Sequence, residues 1–424
     1  MMRERIVIVG AGISGLTMAL ALHARGYRDV MLLEQAHLQR RGLGINLLPV
    51  AVREFEILGI LDQLKAASCQ PAKLVLANFR GDRIWQEPRG LRAGYRRPQL
   101  SVGRGNFQGI LWDKVRERLG SSCIQGGTGV SKIVPTPGGC TIVLEDDQRL
   151  RADLVIAADG IGSIGRRAIA PDSVPKENGY MIYRGTAWAD AFDGSDSVYI
   201  AGDGKRKFVF YPIEQLNEGK RILLNWAAAL PISSADLSGI GEWGTLVDPA
   251  KLADRFRHWA LPEIDIGELI WSSGVAFAHP MVDIEPLPSW HDRRLVLIGD
   301  AAHAMYPVGS NGASQSIVDA VALAHHLRTT PKDIQAAILN FESDRLEKMS
   351  QLQRANRRGG PEIVIDMAMQ KAPNGFSSID RVLDPAEISA IAHRYAEISD
   401  MSIDSVNSDS PYSTSLSRTP DFMK

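Results

Sequence analysis

Arg5-Ile6-Val7-Ile8-Val9 runs directly into Gly10-Ala11-Gly12-Ile13-Ser14-Gly15, and Val30-Met31-Leu32-Leu33 ends on Glu34. The first run is short, apolar and rich in β-branched residues, the pattern of a buried parallel strand. Residues from about Ile13 to Arg25 predict an amphipathic helix, and Val30 to Leu33 predicts a second strand. Strand, glycine turn, helix, strand and acid in this order form the context of an adenine-dinucleotide site, with NAD and FAD both open on this pattern. Gly10 permits the tight turn, Gly12 lets backbone approach a pyrophosphate, and Gly15 lets the helix pack on the strand. The helix start, which carries Ser14, offers unpaired N–H groups and a positive dipole end to phosphates. Glu34, nineteen positions after Gly15, can accept bonds from ribose hydroxyls.

The glycine spacing alone is a weak signal, because it recurs twice. Gly160-Ile161-Gly162-Ser163-Ile164-Gly165 follows a strand, Asp153 to Ala158, but no second strand ending in an acid comes about twenty residues on, where position 184 is Arg. Gly239-Ile240-Gly241-Glu242-Trp243-Gly244 follows a polar stretch and reads as a loop.

The chain has 424 residues, 45% of them hydrophobic and 23% charged, with a formal net charge of -1. That length predicts two closely joined domains. The charge balance gives no electrostatic argument for nucleic acid or an acidic membrane. Cys69, Cys123 and Cys140 are scattered, so neither a disulfide framework nor a metal site is expected. The apolar run at Ile6–Val9 is too short for a signal peptide, and no run of eighteen apolar residues exists, so the expected location is the cytoplasm. A monomer or homodimer is expected.

Beyond Glu34, the stretch Gly42-Leu43-Gly44-Ile45-Asn46 reads either as a plain connection or as a loop that wraps a cofactor. Lys73 to Trp85 predicts a hairpin, and Asn106 to Leu119 a helix preceded by Arg104. Val130 to Val134, Cys140 to Leu144 and Asp153 to Ala158 predict a small antiparallel set. From Gly179 to about Val275 β-rich segments dominate, at Tyr180–Trp188, Ser197–Ala201, Lys207–Tyr211 and Ile222–Ala229. Arg294-Leu295-Val296-Leu297-Ile298 is another apolar strand, ending at Gly299-Asp300-Ala301-Ala302-His303. Helices follow from Ala313 to about Leu327, from Lys332 to Arg357, and from Asp384 to about Tyr395, where Asp384-Pro385-Ala386-Glu387 is a capping box. The expected fold is α/β: a Rossmann-like FAD- or NAD-binding domain (residues 1–177, with inserted small strands near 73–100, and 286–400 with C-terminal helices) and a sheet-containing substrate domain (178–285). Residues 401–424, rich in Ser, Asp, Thr and Pro, are expected to be a disordered or loosely attached tail.

Three stretches stand in register: Gly10 to Gly15 with Glu34, Asp159-Gly160, and Gly299-Asp300. Over about residues 5 to 360 the chain resembles the class A flavoprotein monooxygenases, the aromatic-ring hydroxylases such as 4-hydroxybenzoate and salicylate hydroxylases. The wording from Gly299 to His303 and from Tyr306 to Gln315, with Asn356-Arg357-Arg358-Gly359-Gly360-Pro361-Glu362, is similar to the phenazine-modifying branch.

The resemblance implies FAD, with NADH or NADPH as co-substrate. It implies that Gly10, Gly12, Ser14 and Gly15 hold the pyrophosphate and Glu34 the adenosine ribose. Arg104 matches an arginine lying along the cofactor, in a pattern where Phe107 replaces the first leucine and Leu111 keeps the second. It further implies cofactor contacts at Gly44 and Val130, and Asp300 matches the ribityl-binding aspartate. The stretch from Pro307 through Gly312 and Ala313 is implied to lie beside the flavin ring. Asp159 matches a residue linked to FAD and to the nicotinamide cofactor, but Gly165 stands where an apolar β-branched residue is usual.

The implied reaction reduces FAD with NAD(P)H, forms a flavin hydroperoxide from molecular oxygen and hydroxylates a small aromatic or heteroaromatic molecule, with or without decarboxylation. The cofactor carries the hard step, so no dedicated catalytic base is assigned, and His303 is expected to support the strand-to-helix turn. Tyr211, Pro307 and Tyr183 are the substrate-contact candidates. Arg184 and Lys205 to Lys207 read either as partners for a substrate carboxylate or as solvated bases on a strand edge. A flavin-dependent dehydrogenase or oxidase, and a non-catalytic FAD-binding protein, are the alternative readings.

Overall fold

Ile6–Val9 is buried along its whole length and pairs in parallel with Val30–Glu34 on one side and Leu154–Ala157 on the other. The computed structural model describes residues 4–38, 43–232 and 244–413; most of the third glycine-spaced stretch lies outside them. Leu295–Leu297 joins beyond Leu154–Ala157, Ile124–Gly126 closes the far side, and the short His291–Asp292 adds an antiparallel edge. The parallel strands end at one rim, which carries Gly10, Glu34, Ala158 and Gly299. Open parallel sheets bind ligands at the carboxyl ends of their strands.

The helix Ile13–Ala24 departs from the amphipathic expectation. Every residue from Gly15 to Leu22 is buried, because helices Arg104–Leu119 and Asn311–Thr329 both pack on it and leave it no water-facing stripe. The strand at residues 153–158 also departs. Leu154–Ala157 lies in the parallel sheet, and the antiparallel set is completed instead by Arg149–Ala152, beside Gly139–Leu144 and Val130–Thr136. Its unbroken Leu-Val-Ile-Ala run suits burial on both faces, which an antiparallel surface strand does not offer.

The second large element is an eight-stranded sheet. Its order is Thr245–Val247, Ala276–Asp283, Lys176–Asp190, Arg221–Pro231, Lys207–Leu216, Ser197–Gly202, Lys73–Asn78 and Arg83–Pro88. The hairpin expected as an insertion in the first domain thus extends this sheet: Lys73–Asn78 pairs in parallel with Ser197–Gly202. Sequence nearness cannot report such a pairing, since it joins segments more than a hundred residues apart.

The tail expectation also needs correction. Ile403–Asn407 is helical, and Tyr412 is buried with its hydroxyl donating to Asp344 at 2.8 Å. Ser410 donates to Glu54 at 2.9 Å, and Arg53 donates to the Ser405 carbonyl at 2.9 Å. A few specific polar ties and one aromatic residue anchor a segment whose composition is polar. Residues 414–424 lie outside the described ones.

A Cβ at Gly15 would overlap the Gly10 carbonyl oxygen, whereas one at Gly12 would meet nothing within 4 Å. Gly15→Ala is therefore expected to destabilise the fold by about 3 kcal/mol, by overpacking against rigid backbone. Gly12→Ala should unfold at the wild-type temperature; thermal unfolding followed by circular dichroism checks both.

Candidate active site

The glycine turn leaves donors facing outward. Gly12 caps the helix without any side-chain bond, and no acidic residue occupies the first turn. The first N–H groups of a helix lack internal partners. Glu34 braces the turn, its carboxylate accepting from Ala11 N–H at 2.7 Å and Ala36 N–H at 3.0 Å. Gln108, on the helix that begins at Arg104, donates to the Ala11 carbonyl at 2.8 Å. Ser14 Oγ is buried without a hydrogen-bond partner. Open room at Gly12, free N–H groups and an orphaned hydroxyl fit the pyrophosphate of a dinucleotide.

Asp159 works differently. Its carboxylate accepts from Ser163 Oγ at 2.5 Å and from the N–H groups of Ile164 and Gly165, capping helix Ile164–Ile169. Burial pushes this carboxyl up, opposed by the bonds from Ser163 and the helix start. Gly165 has its own packing reason, because a Cβ there would overlap the Ala157 side chain. The second glycine-spaced stretch thus seats a helix on a strand as the first does.

At the other rim, Gly299 has φ +62° and turns the chain into Asp300–His303. His303 is fully buried and its Nε2 lies 2.5 Å from Asp319, on helix Asn311–Thr329. Asp319 also accepts from Gly299 N–H at 3.0 Å and from Arg345 Nε at 2.9 Å. Burial alone would push the Asp319 carboxyl up; the charges of His303 and Arg345 outweigh it, and the net shift is downward. His303 is enclosed in this cluster, as its expected supporting role requires. Asp300, exposed, faces the cavity beside the first turn of helix Asn311–Thr329.

A cavity of about 790 Å³ separates these turns from the eight-stranded sheet. Gly12, Ser14, Gly44, Arg104, Asp300, Gly312 and Ala313 line one side, with Pro307 on the loop between. Gly10, Gly15, Glu34, Val130 and Asp159 lie outside the wall; Gly10, Glu34 and Asp159 shape the turns behind it, and Val130 starts an antiparallel strand. The sheet supplies the opposite wall through one set of alternating residues, including Leu74, Leu76, Ile182, Arg184, Val209 and Tyr211. Tyr183, one residue out of step with Arg184, packs in the core on the other face with Phe208, Phe210 and Trp226. This corrects Tyr183 as a substrate-contact candidate: strand alternation, invisible to a count of aromatic residues, turns it away.

Arg184 is also corrected from its strand-edge reading. It lies on a central strand, deep in the molecule, and the surface it keeps opens on the cavity. Its guanidinium has no ion-pair partner among the described residues, and Nε lacks a hydrogen bond. Burial lowers its pKa, with the neighbouring Tyr211 opposing. The Tyr211 phenol is pushed up to about 12 by burial, against the pull of Arg184, so it remains protonated at neutral pH. Sequence reasoning missed Asn225, the one polar residue in the run Ile222 to Ala229; its Oδ1 accepts from Gly44 N–H at 2.5 Å and ties the cofactor-side strand to the sheet. That lone polar residue in an apolar run was the available signal.

A model of the family described as FAD binding domain matches residues 3–352. The phenazine 1,6-dicarboxylic acid hydroxylase of Lysobacter antibioticus is 34% identical over 364 residues, which cover 83% of this chain and 89% of that protein. The 3-amino-4-hydroxybenzoate 2-monooxygenase of Streptomyces cremeus is 28% identical over 412 residues, covering 94% and 97%. Among solved structures, a salicylate hydroxylase substrate complex has a TM-score of 0.73 at 21% identity, covering 96% of this chain and 97% of the other. Klebsiella pneumoniae HpxO complexed with FAD and uric acid has a TM-score of 0.72 at 24% identity, covering 96% and 97%. These structures share the fold.

Asp319→Asn should destabilise the protein by about 3 kcal/mol, because the buried Arg345 loses its 2.9 Å partner and keeps only the more exposed Asp400 at 3.5 Å. The folded carboxyl is held below its ordinary value, so its contribution is complete above about pH 4 and is lost as pH falls through the folded value. Denaturant unfolding should therefore show the gap between wild type and D319N closing on acidification.

Proposed function

The chain belongs to the FAD-binding-domain family, and from that premise we propose that it is an FAD-dependent monooxygenase that hydroxylates an aromatic or heteroaromatic acid, with NADH or NADPH as electron donor. The observation that carries the acid is Arg184, a guanidinium with no ion-pair partner among the described residues, facing the cavity from a sheet wall of aliphatic residues that also carries Lys207, Tyr211 and Asn225. A buried cation without a counter-ion is costly, and a bound carboxylate or phenolate relieves that cost. The relatives named for phenazine dicarboxylic acid and aminohydroxybenzoate support the same class.

FAD would be held by the N–H groups of Gly12 to Gly15 and by Ser14 at its pyrophosphate, with Glu34 at the adenosine ribose and Asp300 at the ribityl chain. Arg104 would lie along the cofactor, and the helix start at Gly312 and Ala313 would face its ring. When bound, FAD supplies oxidation of the nicotinamide, activation of oxygen and transfer of one oxygen atom to the substrate, the second leaving as water. The residues of the chain bind, orient and exclude water. Arg184 anchors the acid group, the Tyr211 hydroxyl offers a hydrogen bond, and Leu74, Leu76 and Val209 cover the ring faces. Helix N–H groups placed at a site of developing negative charge stabilise it without reorganisation.

The test begins with the absorbance of the purified protein in the flavin bands after FAD is supplied. NADH and NADPH oxidation is then followed with a panel of aromatic acids under ¹⁸O-labelled oxygen. One labelled oxygen atom in the product is expected, and product mass tells retention of the carboxylate from its replacement. Stimulated NAD(P)H oxidation without labelled product would support a dehydrogenase or oxidase instead. Arg184→Gln should lower kcat/KM for acidic substrates by about 30- to 1,000-fold, the equivalent of about 2–4 kcal/mol, with FAD content unchanged.

A further inference from the structure

The loop 306–312 lines the cavity between the cofactor-side turns and the sheet wall, and its shape is not one it would hold alone. Gly309 has φ +64° and Ser310 has φ +59°, two left-handed residues in succession, the second disfavoured for a residue with a Cβ. The restraint comes from outside the loop. Tyr395, on helix Pro385–Ile398, is buried with its hydroxyl 2.6 Å from Asn356 Oδ1, to which it donates. Asn311 Nδ2 donates to the same hydroxyl at 3.0 Å, and the Val308 carbonyl lies 3.1 Å away. Asn356 Nδ2 donates to the Tyr306 carbonyl at 3.1 Å, and Asn311 Nδ2 reaches the Gly309 carbonyl at 3.2 Å. Three polar side chains, Asn311, Asn356 and Tyr395, thus fix the carbonyls of residues 306, 308 and 309.

The ring of Tyr395 is as tightly placed as its hydroxyl. A Cβ on Gly309 would overlap it, and one on Gly360 (φ +51°) would lie 3.0 Å from it. The ring is therefore wedged between the cavity loop and the Gly359-Gly360-Pro361-Glu362 turn. Glu362 continues the contact toward the substrate side: it receives a bond from Gly309 N–H and faces Lys207 of the large sheet at 3.5 Å. Tyr395, Asn356 and Glu362 all lie beyond residues 3–352, the part matched by the family model.

We propose that Tyr395 is a positioning residue that holds the loop 306–312 against the bound flavin ring, and that its hydroxyl keeps NAD(P)H oxidation coupled to substrate hydroxylation. This rests on the monooxygenase reading. A loop displaced from the ring admits water and lets the substrate drift from the reacting position, so oxygen is released as hydrogen peroxide: NAD(P)H, a proton and O2 give NAD(P)⁺ and H2O2. Correct placement within a fraction of an ångström governs such steps.

Tyr395→Phe keeps the ring and removes the hydroxyl; Asn356→Ser cuts the same network from its other end. Product formed per NAD(P)H oxidised is measured in both holoproteins, together with peroxide and the flavin reduction potential. A fall in the product ratio of about two- to tenfold is expected, the scale of one lost hydrogen bond, with peroxide making up the difference and KM little changed. Tyr412→Phe, which loosens the C-terminal segment at Asp344 without touching the loop, should leave the ratio at the wild-type value. An unchanged ratio and potential in either folded variant would overturn the proposal, as would an equal fall in Tyr412→Phe. If neither network variant retains FAD while Tyr412→Phe does, the network supports the cofactor itself and the coupling role is rejected. If the wild type forms no hydroxylated product from any acid tested, it is the monooxygenase reading that fails.

Discussion

The Asp319 carboxylate has more of the site hanging on it than any other single group. It joins the Gly299 N–H, the buried His303 ring and the Arg345 guanidinium. Those partners belong to a strand end, the helix turn after it and a separate long helix. One fully buried carboxylate therefore fixes the direction in which Asp300 leaves the sheet and the start of the helix that carries Gly312 and Ala313. A buried ion pair is weak evidence for net stability, since desolvation opposes its attraction, but its loss on one side is costly. Here the geometric consequence matters more: the two cofactor-side turns at Gly10–Gly15 and Gly299–His303 stay on one rim of the parallel sheet.

The second wall follows from strand periodicity. Successive side chains of the large sheet alternate between the cavity and a second core. Aromatic residues crowd that core, with Phe208 stacked on Trp226 at 5.8 Å and Tyr199 on Phe210 at 5.0 Å. The cavity face takes smaller aliphatic residues, which leave room for a flat ring, and a few polar ones, among them Arg184, Lys207, Tyr211 and Asn225. The heavy face gives the sheet its rigidity, and the light face gives the pocket its space. Asn225 joins this sheet to the cofactor side through the Gly44 N–H, so the two walls are mechanically continuous.

Much of the cofactor side was legible because its signals are local. A glycine turn between a strand and a helix, an acid ending the next strand, and Gly299-Asp300 after an apolar run are each contained in about thirty residues. Glu34 and Asp159 were legible as important but not in how they act: both hold N–H groups of adjoining turns, which needs coordinates. The sheet side of the cavity was legible only as β-rich. Tyr183 and Arg184 are neighbours in sequence with opposite fates, and register against strands far along the chain decided which one meets the cavity. The hairpin at residues 73–88 and the segment 401–413 were misplaced for the same reason, their partners being distant.

The sequence by itself determined the class of fold and the identity of the nucleotide-binding rim, because short-range patterns of glycine, apolar runs and acids encode backbone geometry directly; the expectation of FAD came with the resemblance to the flavoprotein monooxygenases. Only the tertiary structure decided that Arg184 faces the cavity with no ion-pair partner among the described residues, that the hairpin at 73–88 extends the eight-stranded sheet, and that the C-terminal helices brace the loop at 306–312. Those outcomes depend on which long-range strand pairings and helix contacts bury the most apolar surface while satisfying the polar groups between them, and no local pattern carries that information.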